Sequence, residues 1–136
     1  MQNKFLKLLG GVALTLTLSV SSLSAKPFLI QDKLPHLTGM VKILWEDEDL
    51  ALTPKQKEQL IVIRKETMKG AKSLGKKIVK LEDEVVAQSE AGAKPESLKA
   101  KVDEIAKLRA AATMIHLQCI YKTRKVLTKE QLEVLE

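Results

Sequence analysis

From Leu60 to Val85 the apolar residues of this 136-residue chain recur at steps of three and four. The series is Leu60, Ile63, Ala71, Leu74, Ile78, Leu81 and Val85, with Thr67 filling its one gap. That period places one continuous stripe along a helix face, and a stripe so long must bury itself against another element. A second stripe of the same period follows at Leu98, Val102, Ile105, Leu108, Ala112, Ile115 and Cys119. Between them, Ser89–Lys94 reads as a loop, and Pro95 suits the first position of the next helix. Two long helices joined by so short a loop are expected to form an antiparallel hairpin. The first should end near Gln88, and Gly70 and Gly75 within it mark a kink or a close helix contact.

The start of the first long helix is signalled with unusual clarity by Leu52-Thr53-Pro54-Lys55-Gln56. Thr53 is the N-cap, Pro54 the first helical residue, and Gln56 the third. In such a capping box the threonine oxygen accepts from the Gln56 amide while the glutamine side chain reaches back. Losing it costs about 1 kcal/mol. Leu127-Thr128-Lys129-Glu130-Gln131 repeats the Leu-Thr-x-x-Gln pattern and should open a short final helix carrying Leu132 and Leu135. Upstream, Leu37, Met40, Val41, Leu44 and Trp45 predict a short helix starting near Asp32, with Pro35 in its first turn. The acids Glu46-Asp47-Glu48-Asp49 suit a helix C-terminus badly, so its end should fray. Lys26–Gln31 reads as a flexible leader. The expected fold is all-α: a long antiparallel hairpin flanked by short N- and C-terminal helices.

Residues 1–25 have a different character. Lys4 and Lys7 precede an apolar stretch from Leu8 to Val20, then Ser21-Ser22-Leu23-Ser24-Ala25. A basic start, a short apolar run and small exit residues describe a secretory signal peptide, cut after Ala25 or Ser24. The run is short of the roughly 20 residues that span a bilayer. Residues 26–136 are then expected to be a single exported domain, periplasmic in location. The net charge of +6 includes the two leader lysines and no leader acid, which leaves +4 on the remainder. Export removes nucleic acid as a partner for the basic surface, and with aromatics at only 3% few rings are present to stack on bases. The lone Cys119 is free and buried, paired between chains, or bound to a metal.

Two Leu-Thr-x-x-Gln motifs around a long helical pair, behind a signal peptide, resemble the periplasmic LTxxQ family. Its members include Spy- and CpxP-like stress proteins and ZraP- and CnrX-like metal-resistance proteins. The resemblance covers about Leu34 to Leu135 and implies a curved helical hairpin that pairs into a homodimer. For Spy-like members it implies ATP-independent binding of unfolded or misfolded envelope proteins on a basic concave face. For CpxP-like members it implies restraint of a sensor kinase through its periplasmic domain. For the metal-resistance members it implies a divalent-metal site built from the first and last helices.

Lys65, Lys69, Lys72, Lys76 and Lys80 recur every three or four residues and form one stripe away from the Leu60–Val85 seam. Such a stripe beside an apolar edge attracts acidic, poorly folded chains by charge and holds them by contact. The plainer reading is a solvated face that keeps the protein soluble. Lysine also lacks the planar fork that makes arginine a multidentate ligand. For the alternative function, a heavy-metal sensor or resistance protein, the candidate ligands are His36 with Met40 and His116 with Cys119. These spacings place each pair on one helix face, and imidazole with sulfur suits copper(I), zinc or nickel. Half of that set departs from the nickel- and cobalt-sensing relatives, where a second histidine replaces Met40 and a methionine stands at Ile120. Met40 and Cys119 also fall on core stripes, where both act as apolar filler. No catalytic constellation is expected, because the chain has two histidines on different helices, one cysteine and no glycine-rich phosphate loop.

Overall fold

The protein is described by a computed structural model, in which residues 26–30 and 32–136 are described. The expected signal peptide, residues 1–25, lies outside them. All regular structure among the described residues is helical: α1 Leu37–Ile43, α2 Pro54–Glu90, α3 Pro95–Val126 and α4 Lys129–Val134. No helix among them is long and apolar enough to cross a membrane.

The long helices begin where their signals stand. Thr53 caps α2 from an extended conformation, its hydroxyl accepting from the Gln56 N–H at 3.2 Å while the Thr53 N–H donates to Gln56 Oε1 at 3.0 Å. Thr128 and Gln131 repeat this box at α4 with the same two distances. The connection between the long helices narrows to Ala91–Lys94, two residues shorter than expected at its start. It turns at Gly92, whose φ of +84° favours a residue without a Cβ.

Near the N-terminus the chain departs from expectation. α1 starts at Leu37, after His36, and not near Asp32. Two local effects explain the late start. Asp32 sits in the left-handed region at φ +59°, and the residue preceding Pro35 is disfavoured in helical geometry. At its other end the helix stops at Ile43, so Leu44 and Trp45 pack from the following turn, not from the helix. Asp47 stabilises that acidic turn by accepting from the Asp49 N–H at 2.9 Å.

The main core is gathered at one end of the long helices. Leu37 and Val41 of α1, Leu50, Leu60 of α2, and Leu127 and Leu135 around α4 are buried together, with Met40, Trp45, Leu52, Ile120 and Leu132 packed on them. Away from this cluster α2 and α3 lean mostly on each other. Ile78 and Leu98 are buried, whereas Leu74, Leu81, Val85, Ile105 and Leu108 of the expected seams are only half-buried, and Val102 is exposed. Gly70 is a point of close helix approach: a Cβ there would lie 2.9 Å from Ile115 Cδ1. Ion pairs between α2 and α3 join Glu66 to Lys122 at 3.4 Å, Glu84 to Lys101 at 2.6 Å, and Glu82 to Arg109. Lys101 holds the Glu84 carboxyl below its usual range, first by hydrogen bonding and then by charge.

Candidate functional site

The five stripe lysines are all exposed. At 100° per residue they cluster on the side of α2 opposite the Leu60–Val85 seam, over about 22 Å of helix. None of them forms an ion pair among the described residues. The α2 acids Glu66, Glu82 and Glu84 form their ion pairs with cations on α3, although the charge of Lys80 also acts on Glu84. Beside the lysines runs an exposed apolar row, Ile61, Met68, Val79 and Val86. Its members are two or three helical turns apart, so they share one edge of α2. Sequence reasoning named the lysines and missed this row, although its seven- and eleven-residue spacing was readable beside the seam.

Residues Lys26–Ile30 belong to the stretch Lys26–Gln31 that reads as a flexible leader, and their contacts are specific. They lie across α3 and against α2. The Arg109 guanidinium donates to the Lys26 carbonyl at 2.9 Å, and the Leu29 N–H donates to Thr113 Oγ1 at 2.8 Å. The ring of Phe28 sits 4.8 Å from that of His116, and Pro27 packs over Gly75. Two backbone groups and the Pro27 and Phe28 side chains find partners on this surface, while Leu29 and Ile30 stay exposed.

The candidate metal residues divide. His36 and His116 stack, with ring centroids 4.5 Å apart and planes inclined by 16°. His116 is buried and His36 exposed. Burial lowers the His116 pKa, and the charge of His36 adds to that; the nearby Pro35 carbonyl opposes it. Neither ring nitrogen of His116 makes a hydrogen bond of ordinary geometry. Met40, by contrast, packs into the apolar core, and the buried Cys119 thiol contacts the Thr38 hydroxyl at 3.8 Å. Near-parallel rings direct their in-plane lone pairs side by side and not toward one point. No group of three or more His, Cys, Asp or Glu side chains able to hold a metal is found among the described residues.

The two Leu-Thr-x-x-Gln motifs meet. Gln56 Nε2 donates to Gln131 Oε1 at 2.8 Å and to the Val126 carbonyl at 2.9 Å. Gln131 Nε2 donates to the Leu50 carbonyl at 2.8 Å and to Gln56 Oε1 at 3.1 Å. Each glutamine thus holds its own cap and the other motif. Leu127 is buried in the main core and Leu52 packs on it, so the motif residues are structural here. Compared with known proteins, the chain matches no protein-family model, no curated protein and no solved structure.

Proposed function

We propose that this chain is a periplasmic, non-enzymatic, ATP-independent chaperone or envelope-stress adaptor of the LTxxQ kind. It acts as a dimer of antiparallel helical hairpins and binds unfolded or misfolded envelope proteins. The same surface restrains a sensor kinase by engaging its periplasmic domain. The observation that carries the reading is the α2 surface, where five exposed lysines run beside the exposed row Ile61, Met68, Val79 and Val86. Long-range attraction selects acidic chains, and short-range apolar contact holds those that expose hydrophobic side chains. The order of the ion pairs, from Glu66–Lys122 to Glu84–Lys101, supports the antiparallel hairpin. The half-buried seam away from the main core supports a second copy as its cover.

The test is light scattering of a chemically unfolded client diluted into buffer containing the chelator-treated protein. Suppressed aggregation near equimolar protein supports the reading, and unchanged aggregation sinks it.

The second reading, a metal-responsive sensor or buffer, draws its support from the buried ring nitrogens of His116, which make no hydrogen bond of ordinary geometry. It expects stoichiometric copper(I), zinc or nickel binding that drops sharply in His116→Ala. Equal binding by the variant removes that site.

A further inference from the structure

The surface under Lys26–Ile30 has the chemistry of a peptide site. Arg109 presents one guanidinium nitrogen to a main-chain carbonyl, and its other is held by Glu82. Thr113 donates its own hydroxyl proton to the Arg109 carbonyl at 2.9 Å, so its oxygen lone pairs are left facing outward to accept the Leu29 N–H. These two contacts read a carbonyl and an N–H three residues apart and ignore side chains. Side-chain selection comes from the two flanks. Gly75 offers a flat wall, 3.9 Å from Pro27 at the position a Cβ would take, and the buried His116 ring provides a stacking surface for an aromatic residue. Pro27 and Phe28 form one wall of an open groove of about 520 Å³ that runs along Met68, Ala71 and Val79, with Lys72 and Lys76 at its rim. That groove leads directly onto the lysine stripe and its apolar row.

We propose that this groove binds a non-helical segment of an unfolded polypeptide carrying a Pro-aromatic-apolar run, and that Lys26–Ile30 is its occupant in cis. The proposal rests on the chaperone reading and adds to it a defined subsite and a built-in competitor. Main-chain hydrogen bonds supply affinity that tolerates varied sequence, as a protein with many clients requires, and the ring and proline contacts set preference. A client must displace the chain's own segment, so apparent affinity falls by the fraction of molecules in which the groove is free.

The probe is a fluorescently labelled peptide of sequence Lys-Pro-Phe-Leu-Ile, titrated by anisotropy into the whole protein and its variants. Phe28→Ala removes the ring that packs on His116 in cis, and Leu29→Pro removes the N–H that Thr113 accepts. Each is expected to bind the peptide roughly tenfold more tightly than the wild type does, as release of a cis occupant requires. Thr113→Val placed on Phe28→Ala should undo that gain, while Thr113→Ser on the same background should keep it. Circular dichroism confirms equal helicity in all variants. Unchanged peptide affinity in both Phe28→Ala and Leu29→Pro overturns the proposal, as does equal binding by the Thr113→Val and Thr113→Ser forms. The aggregation assay on the wild type separates the two ideas. Suppressed aggregation without the variant pattern overturns the groove alone. The variant pattern without suppression supports the groove and removes the chaperone reading.

Discussion

Gln56 and Gln131, 75 positions apart in the chain, exchange a reciprocal pair of side-chain amide hydrogen bonds at 2.8 and 3.1 Å. Each oxygen also accepts from the N–H of its own cap residue, Thr53 or Thr128. Two local capping devices are thereby fused into one long-range joint between the start of α2 and the start of α4.

This joint makes the two glutamines energetically interdependent. Gln131→Ala removes a cap and leaves the Leu50 carbonyl without its 2.8 Å donor, a loss of about 2–3 kcal/mol. Gln56→Ala, on a more open side, should cost about 1–2 kcal/mol. Urea unfolding of both singles and the double should give a sum of single effects that misses the double by at least about 0.5 kcal/mol. Strict additivity would show that the amides do not communicate.

Stability should also depend on pH through His116. Its pKa in the fold is lowered from 6.5, chiefly by burial and next by His36. Above that ordinary value the ring is neutral whether folded or unfolded, so nothing is lost. As pH falls below it, the unfolded chain takes up the proton more readily than the folded one, and stability declines until His116 is protonated in place. The urea midpoint should therefore begin to drop as pH falls below about 6.5. His116→Leu should flatten that segment of the profile. An equally steep profile in the variant would assign the dependence to another group.

Charge reversal at Lys69, Lys72 and Lys76 tests the basic row. The triple Lys→Glu variant should lose most of its aggregation suppression and keep its helicity, because these side chains are exposed and make no ion pairs among the described residues. Wild-type suppression should weaken between about 0.1 and about 1 M salt as the Debye length contracts from about 10 to about 3 Å. Full protection by the variant would discard the lysine mechanism.

The two glycines of α2 should answer differently to alanine. At Gly75 the added Cβ meets Pro27 at 3.9 Å, an ordinary contact, so Gly75→Ala should gain about 0.5–1 kcal/mol in helix propensity. At Gly70 the same atom would come within 2.9 Å of Ile115 Cδ1, and displacing that side chain should consume most of the gain. Thermal unfolding of the two variants should rank Gly75→Ala above Gly70→Ala. The reverse order would mean that Ile115 relaxes freely and that Pro27 does not.

What the sequence determined by itself was local. The helical period of two stripes, the residues that cap α2 and α4, and the proline that opens α3 each act within a turn or so of chain, so neighbouring residues suffice to set them. The late start of α1 belongs there too, since the Leu34–Pro35 step was readable and its restriction outweighed the apolar spacing. Tertiary structure decided what met what. Nothing within a few residues of Gln56 distinguishes a glutamine that only caps from one that also binds Gln131. Helix-face spacing made His36 and Met40, or His116 and Cys119, look like pairs, yet packing joined the two histidines and sent Met40 into the core and Cys119 to Thr38. Lys26–Ile30 carries no periodic signal, and its path is fixed by Arg109, Thr113 and His116, more than 80 residues away. Such contacts form only when α2 and α3 have already built the surface that receives them, because short polar and apolar side chains acquire partners through the packing of distant helices.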